Sequence, residues 1–172
     1  GKEMVQLLVS SEADIHLTEE TGCTALHLAA EKGRTSIAKM LIEKGADVNA
    51  QDEDKWTPLM RAVYFIEDEE KGKEMVQLLV SSEADIHLTE ETGCTALHLA
   101  AEKGRTSIAK MLIEKGADVN AQDEDKWTPL MRAVYFIEDE EKGKEMVQLL
   151  VSSEADIHLT EETGCTALHL AA

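Results

Sequence analysis

The sequence predicts an all-α fold, a solenoid of short paired helices each followed by a projecting loop, and three observations carry that reading. Residues 1–101 are identical to residues 72–172, so the chain is one 71-residue unit written twice with a 30-residue remainder. Inside the unit, 33 residues from Thr21 to Glu53 are followed by 38 residues from Asp54 to Glu91 that align with them, with five extra residues near IEDEE. In both stretches apolar residues recur at i, i+3 and i+4 over runs too short to bury a stripe without a neighbour.

The elements follow in chain order. Leu26, Ala29 and Ala30 make one short helical stripe, and Ile37, Met40 and Leu41 make a second. The longer stretch repeats this with Leu59, Ala62, Val63 and Ile66, then with Met75, Leu78 and Leu79. Thr24 and Thr57 stand where an N-cap is needed, and Pro58 follows at the first helical position, where its missing N–H costs nothing. Gly33 separates one helix pair, and Gly45 ends the second helix with the positive φ that a C-terminal cap uses. Polar turn residues fill NAQDEDKW.

These residues resemble the ankyrin repeat. The family's pattern of a T-P-L-H start, a glycine between helices and a G-A-D-V-N-A end is similar to TALHLAA…EKGRTSIAKMLIEKGADVNAQD, and more loosely to TPLMRAV…KGKEMVQLLVSSEADIHLTEETG. The departures are Ala25 for the proline, Met60 for the histidine, Glu83 for the terminating glycine and Lys55 for a turn glycine. Glu83 should therefore leave its helix end strained or reshaped. The resemblance implies a single array over 1–172: a partial repeat at 1–20, repeats at 21–53, 54–91, 92–124 and 125–162, and a partial repeat at 163–172. Such an array is held together by nearest-neighbour stacking.

Charge narrows the function. With 35 acidic residues against 17 Lys and Arg, the net charge is −18, and each unit and the remainder is acidic. That field repels phosphate backbones, so no nucleic-acid partner is expected. No apolar run reaches the roughly 18 residues of a membrane helix, so no membrane partner is expected either. Cys23, Cys94 and Cys165 occupy one repeated position, separated by roughly 20 Å if helices pack about 8–10 Å apart, far beyond disulfide reach. An intracellular, cytoplasmic protein with reduced thiols is the expectation.

The chemical candidates are thin. His16, Cys23 and His27 recur as a group, but a fourth ligand is missing and the spacing matches no zinc pattern, so no metal and no cofactor are expected. His27 falls on the T-P-L-H histidine, for which the resemblance implies a structural hydrogen bond between repeats, and His16 falls where the other repeat has Asn49, a loop residue. No P-loop, nucleophile elbow or dinucleotide fingerprint is present, so an enzyme is not expected. The strings QDEDK and IEDEEK lack the alternating calcium-loop pattern and read as solvated charge. Leu41, Asp47, Val48 and Asn49 are similar to the pattern used by the asparagine hydroxylase that acts on ankyrin repeats, although the Asn also serves to close the loop.

Surface remains. The resemblance implies partner contacts at loop tips and on the exposed face of the first helix. Carried over by position, these are Gln51, Glu53, Asp54, Trp56, Tyr64 and Phe65, with their copies Gln122, Glu124, Asp125, Trp127, Tyr135 and Phe136. In the shorter repeat they are Thr18, Glu20, Thr21, Cys23, Glu31 and Lys32. Either the aromatics anchor a partner, or Tyr64 and Phe65 cover the base of the insertion while Trp56 packs along its own loop. The expected function is a non-enzymatic scaffold for protein–protein interaction with a basic partner. Two rivals are an engineered or recently duplicated architectural array, prone to head-to-tail self-association through its ends, and a cation-responsive acidic module.

Overall fold

A computed structural model describes residues 15–171, which contain nine helices and no strands. The chain divides into two compact units, 1–85 and 86–172. The first unit holds α1 (Ala25–Glu31), α2 (Thr35–Glu43), α3 (Pro58–Phe65) and α4 (Glu69–Ser81). The second holds α5 (Ala96–Glu102), α6 (Thr106–Glu114), α7 (Pro129–Phe136), α8 (Glu140–Ser152) and the short α9 (Ala167–Leu170).

Within the first unit α1 pairs with α2 and α3 with α4, while α1 stacks on α3 and α2 on α4. The second unit repeats the scheme: α5 pairs with α6 and α7 with α8, α5 stacks on α7, α6 on α8, and α9 on α7. Within each unit the first helices therefore form one layer and the second helices another, as expected of short amphipathic helices that are stable only in stacks.

The core is where those stripes meet. Leu26, Ala29 and Ala30 are buried on α1, and Leu59, Ala62, Val63 and Ile66 are buried in or beside α3. Both second helices bury residues beside their expected stripes. On α2 the buried residues are Ala38 and Leu41, with Ile37 and Met40 half-buried, while the copy α6 buries Ile108 together with Ala109 and Leu112. On α4 they are Gly72, Met75, Val76 and Leu79, with Leu78 half-buried. A helix clasped on two sides buries a wider arc than one i, i+3, i+4 stripe, so alanine and valine beside the stripe are covered as well.

The caps form as expected. Thr24 accepts from the N–H of His27, whose ring closes the reciprocal half of a capping box, and Thr57 accepts from the N–H of Met60 with Pro58 next to it. Met60, in the histidine's place, is 1% exposed and serves as core. The extra residues of the longer stretch begin α4: Asp68 caps it through the Lys71 N–H, with Glu69 and Glu70 in the first turn, where the helix dipole favours negative charge.

Loop tips are tied together along each unit. Glu53 N–H donates to Thr21 O at 3.1 Å, Glu124 N–H to Thr92 O at 3.0 Å, and Glu162 N–H to Asp125 O at 3.2 Å. This close approach requires Gly22: its φ is +77° and a Cβ there would sit 3.0 Å from the Glu53 nitrogen. Asn49 adds a second tie, accepting from Asp85 N–H at 2.7 Å and donating to Glu83 O at 3.3 Å, and Asn120 makes the same two bonds to Asp156 and Glu154. The amide thus uses both its oxygen and its nitrogen to hold one loop to the next.

The strain expected at Glu83 is present. Its φ is +68°, and its backbone repeats the hydrogen bonds made at Gly45, where φ is +92°. Glu154, Lys55 and Lys126 are likewise held at φ of +70°, +61° and +63°. A side chain in this region costs about 1–2 kcal/mol, partly offset in a glycine variant by greater freedom of the unfolded chain. Glu83→Gly with Glu154→Gly should raise the melting temperature, by about 2–4 °C for each kcal/mol gained. A thermal melt followed by circular dichroism, with Glu83→Ala as the control that gains nothing, checks this.

Candidate functional site

The loop from Gln51 to Trp56 is shaped by a buried acid. Asp52 is 6% exposed, and its Oδ1 accepts from the N–H groups of Asp54 at 3.1 Å and Trp56 at 2.8 Å. Its other oxygen takes the Arg61 guanidinium at 2.6 Å and lies 3.7 Å from the Cys23 thiol. Arg61 also reaches Glu31 at 2.9 Å, so one guanidinium on α3 bridges its own loop to the end of α1. The second unit repeats the hub with Asp123, Arg132, Glu102 and Cys94.

QDEDK is therefore only partly solvated charge. Glu53, Asp54 and Lys55 are exposed, but Asp52 is a buried structural acid. The signal was available: an Asp followed by polar residues can accept N–H groups two and four positions on, and an Arg nine residues later can neutralise it. Burial works to lower the Arg61 pKa, but its bonds to Asp52 and Glu31 raise it above the usual value. Glu31 is held below the ordinary carboxylate range by its bond to Lys32 and by Arg61.

A second strut fixes the tryptophan. Thr24 N–H donates to His27 Nδ1 at 3.1 Å, so Nδ1 is the acceptor and Nε2 carries the proton, which it donates to Trp56 O at 2.9 Å. His98 repeats this with Thr95 and Trp127 O at 3.0 Å. The structural bond between repeats implied for this histidine is thus made in both units.

On this frame the aromatic candidates meet. Trp56 and Tyr64 are 5.3 Å apart edge to face, Tyr64 and Phe65 5.1 Å, and Trp56 and Phe65 5.8 Å. Arg61 lies over the Phe65 ring at 5.7 Å. Trp127, Tyr135, Phe136 and Arg132 reproduce the cluster, with Tyr135 59% and Phe136 45% exposed. The rings pack on one another and still present apolar surface to solvent.

The other candidates differ in role. Gln51 donates to Lys55 O and Gln122 to Lys126 O, each closing its own loop, and Gln122 also reaches Thr160 O. Glu53, Asp54, Glu124 and Asp125 present exposed side chains on backbones tied into the loop ladder. In the shorter repeat Cys23 is 2% exposed and Glu31 is paired with Arg61, so neither offers a contact surface there. Cys94 is buried too, which pushes its thiol up to about 12, whereas Cys165 is half-buried. Among the described residues no group of three His, Cys, Asp or Glu side chains could hold a metal ion, and no helix is long and apolar enough to cross a membrane.

Two kinds of cavity adjoin these residues. One of about 440 Å³ lies beside α7 and is lined by Trp127, Tyr135, Phe136, Asp125, Glu161 and Arg132, with Leu170 of α9 at its edge. A smaller one occurs once per unit, about 330 Å³ beside His16, Gly22, Asp47 and Gln51 and about 340 Å³ beside His87, Gly93, Asp118 and Gln122.

Comparison with known proteins agrees across the chain. A family model described as "Ankyrin repeats (3 copies)" matches residues 1–72 and 66–141, and one described as "Ankyrin repeat" matches 125–162. The ankyrin repeat and KH domain-containing protein mask-1 of Caenorhabditis elegans is 37% identical over 134 residues, 76% of this chain but 5% of that protein. The putative ankyrin repeat protein YahD of Escherichia coli is 29% identical over 170 residues, 98% of this chain and 82% of YahD. Mouse protein phosphatase 1 regulatory subunit 12A is 33% identical over 126 residues, 73% of this chain and 12% of that subunit.

The histidine strut makes a pH prediction. Burial lowers the pKa of His27 and His98 below the ordinary 6.5 in spite of their bonds to the tryptophan carbonyls. The unfolded chain then binds more protons than the folded one below pH 6.5, so this contribution to stability is present at neutral pH and lost as pH falls. Protonation would also set an Nδ1–H against the Thr24 N–H. Urea unfolding at pH 7.5 and 5.5, above the range where most carboxylates titrate, should show a drop that shrinks in His27→Gln/His98→Gln.

Proposed function

The chain belongs to the ankyrin-repeat family, and from that premise we propose that it is a non-enzymatic recognition module whose binding surface is the loop from Gln51 to Trp56 with Tyr64 and Phe65, and its copy from Gln122 to Trp127 with Tyr135 and Phe136. The observation that carries this reading is the aromatic cluster: three rings held by a buried ionic hub, 59% exposed at Tyr135 and 45% at Phe136, and flanked by exposed acids. Rigid aromatic anchors rimmed by charge are the composition that dominates interface energetics. With a net charge of −18, the complementary partner is a basic protein surface.

The test is retention on the immobilised chain. Proteins held by wild type and lost from Trp56→Ala/Trp127→Ala should be basic and should elute as salt rises. For a partner so identified, calorimetry should show a cost on the order of 2 kcal/mol for each tryptophan if they are anchors. Unchanged affinity in the double variant overturns the assignment.

Head-to-tail association between copies is a second reading; of the end residues it would use, Met4, Leu7, Leu8 and Ala172 lie outside the described residues. Mutual repulsion of acidic chains opposes such stacking, so light scattering should report a larger mass at high salt and high concentration than at low salt. A constant mass near that of one 18.9 kDa chain overturns it.

A further inference from the structure

We propose that the cavity of about 440 Å³ beside α7 is a seat for a lysine ammonium of the basic partner, held by the rings of Trp127, Tyr135 and Phe136 and by the carboxylates of Asp125 and Glu161. This rests on the recognition reading above and goes further, from a surface to the chemical group that enters it.

The geometry argues for a cation. Aromatic faces attract positive charge within about 6 Å of the ring centroid, and the structure already seats one there, the Arg132 guanidinium at 5.8 Å from the Phe136 centroid. That guanidinium does not make the cavity positive, because Glu102 at 2.6 Å and Asp123 at 2.7 Å pair with it on the protein side. Two carboxylates on the cavity wall, Asp125 and Glu161, are left to set its sign. Glu161 stays ionised in any ordinary buffer: the hydroxyl and N–H of Thr163 and the N–H of Cys165 donate to it and bring its pKa down to about 2.

The carboxylates also choose among cations. A quaternary ammonium has no N–H to give them, whereas a lysine ammonium can donate to an acid while its methylene stem lies along the rings and Leu170. An arginine would bring a second planar guanidinium into a wall where Arg132 already covers a face of Phe136.

The probe is N-acetyl-lysine methylamide, added to the full chain while the Trp127 indole N–H is followed by NMR, with the signal assigned by Trp56→Phe. A saturable shift is expected. N-acetyl-norleucine methylamide, which keeps the stem and lacks the charge, should bind at least about tenfold more weakly, and the trimethyl-lysine analogue should also be weaker. Asp125→Asn should weaken the lysine probe several-fold without lowering the melting temperature, since the Asp125 side chain is exposed and the loop uses its backbone. Tyr135→Leu, which keeps apolar area and removes a π face, should do the same. Equal binding of norleucine, equal or tighter binding of the trimethyl form, or no saturable shift overturns the proposal. A partner that still binds through Trp127 while the lysine probe fails would sink this seat and leave the recognition surface standing. A lysine probe that binds while no basic partner is retained would do the reverse.

Discussion

A carboxylate buried beneath a loop cannot be left unpaired, and most of the protein's exposed architecture follows from how Asp52 and Asp123 are satisfied. Each acid accepts two backbone N–H groups of its own loop and one guanidinium from the following helix. The loop therefore has one shape, the tryptophan leaves it at one angle, and the arginine that neutralises the acid is brought over a phenylalanine ring. Removing the acid alone would leave a guanidinium buried with half its partners, which is costly in a way that losing a surface ion pair is not.

The histidine and the hub act on the same residue from opposite sides. Asp52 holds the Trp56 N–H and His27 holds its carbonyl, so both backbone groups of the tryptophan are fixed by side chains from earlier in the chain. A side chain mounted on so constrained a backbone loses little freedom on binding, which favours its use as an anchor. Where the longer repeat has Met60 instead of histidine this polar strut is absent, and the position is filled by packing alone.

Strain is concentrated where the glycines are missing. Glu83 and Glu154 follow the same path as Gly45 and Gly116 because the stacked neighbours over-determine the chain there, and local preference yields to them. Within each unit the loop ties at these positions use main-chain carbonyls, so a glycine in place of Glu83 or Glu154 would relieve the strain and keep the bond from Asn49 or Asn120.

By itself the sequence determined the repeat, the helix pairs, their threonine caps and the family, because each rests on local preference and on periodicity along the chain. Leu26 with Ala29 and Ala30, Thr24 before them and the misfit of Glu83 were legible from short-range chemistry alone. Only tertiary structure decided that Asp52 lies inside while Asp54 lies outside, that Ala38 and Val76 are core while Met40 and Leu78 are half-covered, and that Cys23 is withdrawn from the surface. It also decided that Trp127, Tyr135 and Phe136 share one cavity wall with Glu161, which comes from a different loop. Burial and the meeting of residues thirty positions apart depend on how repeats stack, and no window of sequence shorter than two repeats contains that information.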